Sequence, residues 1–471
     1  MKKVLLFNPP SITFNYSRDY FCSKTLKTRY VEHPVDLLVL SGVLIHKFEV
    51  DILDAMVPGL SSYDCLIKIR DFSPEIMIFL SGSASWVDDF KFMKQVREKN
   101  RALKIIGIGD IFLDRDIIVN HEWIDAVLLD FTSGDIVNYL EGHFDRVKNM
   151  FFRNHGGVVF AEMAQPHNEE FEIPTPRHEL FLKGRYTFPF AKRLPFTTIL
   201  TDFGCGSGCP FCLYSTLGFK LRKLENVFEE LEHIRSLGIR ELFIKDQSFG
   251  HNRERALQFC RGMTQRGWRF SWTAFSRADS MDLELVSAMK EAGCHTLILG
   301  VETANEDLLR KFKPGLTLGE IDSALKLCKK LKIRTVGTFC LGLPSETTES
   351  VLKTIDYAIR SGCDFAAFNV FVPKTGTRLG KELLQHAGGK KLIDREWDQS
   401  GMSSISGNGI ISEEEMAGLL SFAIRKFYIR FNYVLNRILN LTSVTDLRML
   451  FQSGMSLLSS TTKKNKVRAA P

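Results

Sequence analysis

At 471 residues, 44% hydrophobic and 25% charged, the chain has the composition of a globular protein of about two to four domains. No run approaches the roughly 20 apolar residues of a membrane span, and Val4–Phe7 is too short an apolar stretch for a signal peptide, so a cytoplasmic protein is expected. The formal charge of +7 is gathered at one end, where residues 421–471 hold nine Lys/Arg against Asp446 alone; the rest is near neutral, and no nucleic-acid-binding module is visible.

Residues 1–145 alternate short apolar runs with helical patterns. Strands are predicted at Lys3–Phe7, Val50–Leu53, Glu75–Leu80, Leu103–Ile108 and Ala126–Leu129, and helices at Val35–Lys47 and Val87–Lys99. This order predicts an α/β, Rossmann-like, doubly wound parallel sheet, in which ligands sit outside the carboxyl ends of the strands. The loops there carry Asn8, Ser81, Gly82, Ser83 and Gly109, which are taken as candidate cofactor-binding residues. Residues 146–195 read as a connector: a hairpin over Phe151–Phe160 around Asn154–Gly157, then breaks at Pro174, Pro176, Pro189 and Pro195.

Next comes TTILTDFGCGSGCPFCLYS, residues 197–215: a β-type run, then Cys205, Cys209 and Cys212 in a glycine-broken loop. Three thiols within eight residues can converge only if the backbone wraps tightly, and Gly204, Gly206 and Gly208 permit this. Structural zinc wants four ligands, usually in two C-x-x-C pairs, and no second pair exists here. Iron–sulfur clusters also use thiolates, and three cysteines on four irons leave one iron open. A zinc site completed by a distant residue, or three buried filler cysteines, are the plainer readings. The other seven, Cys22, Cys65, Cys260, Cys294, Cys328, Cys340 and Cys363, are scattered through mostly apolar segments like reduced core cysteines.

From 196 to 380 the βα unit repeats six times, with strands predicted at Thr198–Phe203, Glu241–Lys245, Phe270–Phe275, Thr296–Val301, Arg334–Cys340 and Phe365–Phe371. Six units are too few to close an eight-fold barrel, so a partial (β/α)6 TIM-like barrel is expected. Functional residues in such barrels come from the carboxyl ends of strands. Those ends carry Asp246, Arg277, Glu302, the Gly337–Pro344 segment with Gly342, and Pro373–Thr377. Thr317 and Glu320 have capping-box spacing. Residues 381–471 read as a C-terminal helical extension with a basic tail, in which Phe422, Phe427, Tyr428, Phe431 and Tyr433 alternate with arginines. They form either a cap on the barrel or a face for peripheral membrane contact through 421–471.

C-x-x-x-C-x-x-C after a strand, followed by these repeats, resembles the signature of the radical S-adenosylmethionine (SAM) enzymes. The resemblance implies a 4Fe-4S cluster on Cys205, Cys209 and Cys212, whose open iron chelates SAM and whose electron cleaves it to a 5′-deoxyadenosyl radical. It implies that Arg277 approaches the SAM carboxylate and Glu302 the ribose or amino group. The backbone of Gly337, Gly342 and Pro344 would meet the adenosyl part, with Asp246 nearby. The N-terminal part is similar to the cobalamin-binding domain of one large class of these enzymes, through Asn8-Pro9-Pro10, His33–Leu37, Val50–Ala55 and Ser73-Pro74-Glu75. D-x-H-x-x-G is absent, which argues against a histidine beneath the cobalt.

The implied function is methyl transfer to an unactivated carbon, with a radical cyclase or rearrangement enzyme, or a radical SAM enzyme without cobalamin, as alternatives. Methylthiotransferases carry a second three-cysteine cluster upstream, whereas only Cys22 and Cys65 precede this one. A non-catalytic zinc or nucleic-acid-binding module is the rival outside enzymes. The expected partners are a small-molecule or lipid-like substrate and an external electron donor such as flavodoxin or ferredoxin.

Overall fold

The computed structural model describes residues 1–11, 16–18, 23, 30–161, 167–184, 186–374, 376–386, 398–400, 410–431 and 433–435. Its first sheet has seven strands in the order β2-β1-β3-β4-β5-β6-β7. They are β1 Lys3–Asn8, β2 Glu49–Asp54, β3 Ile76–Leu80, β4 Lys104–Ile108, β5 Ala126–Leu128, β6 Met150–Asn154 and β7 Gly157–Phe160. The first five run parallel, while β6 and β7 add antiparallel. The hairpin within the 146–195 connector is thus part of this sheet.

Side chains alternate across the strands, so successive residues serve opposite faces. Val4, Leu6, Ile76 and Ile78 join the Val35–Ile45 helix in one core, and Leu5, Phe7, Met77 and Phe79 join Phe90 and Met93 in another. Burial on both faces is why these strands read as unbroken apolar runs.

The second large sheet is parallel and six-stranded. Its strands β9 Phe196–Ile199, β12 Glu241–Ile244, β13 Ser271–Ser276, β14 Cys294–Glu302, β15 Arg334–Leu341 and β16 Phe365–Val370 lie in sequential order, with β9 and β16 at its two edges. This is the open partial barrel that the six repeats predict. The connector's Phe188 stacks on Phe243 of β12 at 4.3 Å, so this segment fills part of the barrel interior.

One predicted strand is split. Thr198–Phe203 reads as a single run, but β9 ends at Ile199 and the chain turns into β10, Asp202–Gly204. That strand pairs with β11, Phe219–Arg222, which pairs in turn with β8, His167–Phe171. The turn at Leu200–Thr201 is held by a side chain from another strand end, which no local pattern shows.

The capping box of Thr317 and Glu320 is present. The Glu413–Tyr428 helix buries Met416, Leu419, Leu420, Ala423 and Phe427 against the barrel. Phe427 meets Phe368 at 6.2 Å, and the Tyr428 hydroxyl bonds the Ala366 backbone. No described helix is long and apolar enough to cross a membrane. The basic tail from residue 436 onward, Cys22 and Thr375 lie outside the described residues.

Candidate active site

β10 and β11 form the neck of the cysteine loop. At Gly204, φ is +84° and a Cβ would sit 1.9 Å from the Gly218 carbonyl oxygen, so no other residue fits. Cys205 N–H donates to that oxygen at 3.0 Å, which closes the loop. Inside it, Ser215 Oγ donates to the carbonyls of Cys209 at 2.8 Å and Cys212 at 2.7 Å.

Burial pushes the Cys209 thiol up and the Cys212 thiol to about 12, and the charges of Cys205 and Cys209 add to the latter. Three thiolates this close repel unless a cationic centre sits between them. Among the described residues no three His, Cys, Asp or Glu side chains are grouped closely enough to hold a metal ion.

Asp246, at the end of β12, lies behind this loop. Its carboxylate accepts from Thr201 N at 2.6 Å, from Asp202 N at 3.1 Å and from the Thr201 hydroxyl. Arg255 braces the same turn through the Thr201 carbonyl at 2.7 Å. Asp246 is buried and engaged by the backbone of the split strand. These bonds tie the end of β12 to the turn that leads into the cysteine loop.

Arg277 and Glu302 flank the cysteines. Arg277 Nη1 lies 3.9 Å from Cys209 Sγ, while Nε and Nη2 hold Asp279 and Nη2 also reaches the Pro314 carbonyl at 3.0 Å. Glu302 Oε1 accepts from Lys313 Nζ at 2.8 Å. Gly342 has φ +79°, and its N–H and that of Leu343 both donate to Glu346 Oε2, at 2.7 and 3.1 Å. Gly337 sits inside β15, where a Cβ would press on Phe339 at 2.9 Å, so it is a packing position and not a strand-end one. Pro344 follows in the same turn.

The carboxyl edge of the first sheet faces this end of the barrel. Lys374, just past β16, pairs with Asp110 at 3.2 Å, and Asp110 also accepts from Ser83 N and Oγ, both at 2.7 Å. Lys220 of β11 pairs with Asp130 at 2.6 Å. A Cβ on Gly376 would lie 2.8 Å from Leu213, the neighbour of Cys212, and 3.5 Å from Leu113 beyond β4. The two strand edges and the cysteine loop therefore share one junction.

The candidate residues on this edge are mostly bonded to other residues of the first domain. Asn8 bonds Asp54 at 2.9 Å and accepts from Arg18 at 2.9 Å, Ser81 Oγ bonds Asp89 at 2.8 Å, and Gly82 N bonds Ser85 Oγ at 3.2 Å. Gly109, at φ +123°, passes so close to Ser81 that a Cβ would meet its carbonyl oxygen at 2.0 Å.

Residues 199–358 match the family model described as the radical SAM superfamily. They form a radical SAM domain. The chain is 28% identical to an uncharacterized methyltransferase of Pyrococcus horikoshii over 84% of this chain and 88% of that one. It is 24% identical to an anaerobic magnesium-protoporphyrin IX monomethyl ester cyclase of Cereibacter sphaeroides, over 70% of this chain and 56% of that one. The fold is similar to that of the radical SAM methyltransferase TsrM of Kitasatospora setae, solved with cobalamin and a [4Fe-4S] cluster bound. The TM-score is 0.66 at 18% identity, over 83% of this chain and 79% of that one.

Two buried basic residues, one in each domain, were not singled out by the sequence. Lys313 follows a short helix in Lys-Phe-Lys-Pro-Gly and reads as solvated, yet it is buried. Arg18 lies in a polar stretch and forms a fully buried ion pair with Asp89. Neither has a local signal: Arg18 pairs 71 residues along the chain, and Lys313 pairs with the end of the preceding strand.

Proposed function

We propose that the chain is a cobalamin-dependent radical SAM methyltransferase acting on an unactivated carbon of a small-molecule substrate, with a flavodoxin- or ferredoxin-like electron donor. The observation that carries this reading is the junction itself. The edge where a doubly wound sheet takes its ligand adjoins the loop of Cys205, Cys209 and Cys212. Cys205, Cys209 and Cys212 would hold the cluster, Arg277 and Glu302 would contact SAM, and the Asn8, Ser81–Ser83 and Gly109 edge would support the corrin. Bound there, the cluster supplies the electron that cleaves SAM, and cobalamin supplies the methyl group.

The protein's own part is enclosure and orientation. Asp246 and Arg255 fix the loop, and the Asp110–Lys374 and Asp130–Lys220 pairs fix one strand edge against the other.

Reconstitution with hydroxocobalamin tests the reading. The cob(II)alamin form should give an electron paramagnetic resonance spectrum without nitrogen superhyperfine splitting, and protein that takes up no cobalamin would contradict it. The cyclase relative favours ring closure as a second reading. A methylthiotransferase fits less well, because Cys65 is enclosed in the core with its thiol pushed up to about 12 by burial. Membrane delivery of a lipid-like substrate is supported by the charge of 421–471 and by exposed Ile429 and Phe431, although the barrel takes Phe427 and Tyr428. Flotation with anionic vesicles at low salt checks it, and absence of binding leaves the segment as a cap.

A further inference from the structure

We infer that Lys313 is a positioning residue of this site: its ammonium fixes the Glu302 carboxylate at the end of β14 and places a positive charge in the turn that Arg277 joins to Cys209. The inference rests on the proposal that the three cysteines hold a cluster. Glu302 has φ +68°, uncommon for a residue with a side chain, and it lies just past an irregularity in the β14–β15 pairing. Lys313 Nζ ties this turn together, donating to Glu302 Oε1 at 2.8 Å and to the Gly300 carbonyl at 3.0 Å.

The space for the ammonium is made by the strand. A Cβ on Gly300 would lie 2.0 Å from Lys313 Nζ and 2.6 Å from Glu302 Oε1. The following residue, Pro314, accepts from Arg277, whose other nitrogen approaches Cys209. Arg277 thus joins the turn of Lys313 to that thiol. Burial alone would favour the neutral amine, and the ion pair with Glu302 at 2.8 Å offsets it. A cluster gains negative charge on reduction, so a cation at this position favours the reduced form and raises the potential.

The test uses full-length protein reconstituted anaerobically, as wild type, Lys313→Met and Gly300→Ala. The alanine leaves both charges in the chain but crowds the Lys313 ammonium and Glu302 Oε1 apart, so it serves as a second variant that breaks the pair through flexible side-chain ends. Iron per chain, the midpoint potential without SAM and the dissociation constant for SAM are measured. Both variants should keep wild-type iron, show a more negative midpoint and bind SAM at least tenfold more weakly. The double variant Lys313→Met with Glu302→Gln should recover much of the potential, since both charges are gone, without recovering SAM affinity. An iron-loaded variant of either kind with unchanged potential and affinity would overturn the inference. So would loss of iron in every variant, which would make Lys313 a folding residue. Absence of iron from the wild type would instead sink the proposed function.

Discussion

Cys209 is the thiol that Arg277 approaches, at 3.9 Å. Replacing Cys205, Cys209 or Cys212 by alanine should each abolish bound iron and 5′-deoxyadenosine formation, whereas Cys260→Ser, deep in the barrel core, should leave iron unchanged. Iron analysis checks both. At the junction, His33 and Asp54 share Tyr186, which stacks on the imidazole at 4.1 Å and bonds the carboxylate at 2.9 Å. Burial, with a smaller contribution from His178, lowers His33 to about 3; the unfolded chain then binds the extra proton, and stability rises with pH between about 3 and 6.5. Burial raises Asp54 to about 6, so the folded chain binds the extra proton and stability falls between about 4 and 6. The two slopes oppose. Asp54→Asn should unmask the histidine slope, about 1.4 kcal/mol per pH unit, in urea unfolding between pH 4.5 and 6; an unchanged slope would contradict this. The cysteines were legible because their spacing is local. Lys313, Arg18 and the opposed pair were not, since burial and partners that only the fold brings together give them their surroundings.

The cysteine loop depends on the turn between β9 and β10, and that turn hangs on Asp246. Asp246→Ala would strand the N–H groups of Thr201 and Asp202 and leave Arg255 short of a counter-charge, at about 1–3 kcal/mol per unsatisfied group. We expect lower iron per chain and a lower Tm although no sulfur is touched; full iron loading would show that the loop holds its shape alone. Strands and helices were legible from period and punctuation, because buried parallel strands are apolar on both faces. The split of Thr198–Phe203 was not, because a carboxylate 45 residues away in the chain makes it. The connector's hairpin was visible as a hairpin, but its membership in the first sheet is set by pairing with β5.

Across the whole molecule, two α/β layers meet carboxyl edge to carboxyl edge, and the ion pairs of Asp110 with Lys374 and Asp130 with Lys220 cross the seam beside the cysteines. Composition and repeats made both layers legible, but only the folded chain shows that their functional edges adjoin. This arrangement makes sense if two cofactors must act on one substrate, and it predicts two fates for SAM in one protein. The direct measurement counts both products in anaerobic, reduced, cluster-loaded protein given SAM, with and without cobalamin. The account predicts 5′-deoxyadenosine in both cases and S-adenosylhomocysteine only with cobalamin. 5′-Deoxyadenosine alone, unaffected by cobalamin, would contradict it.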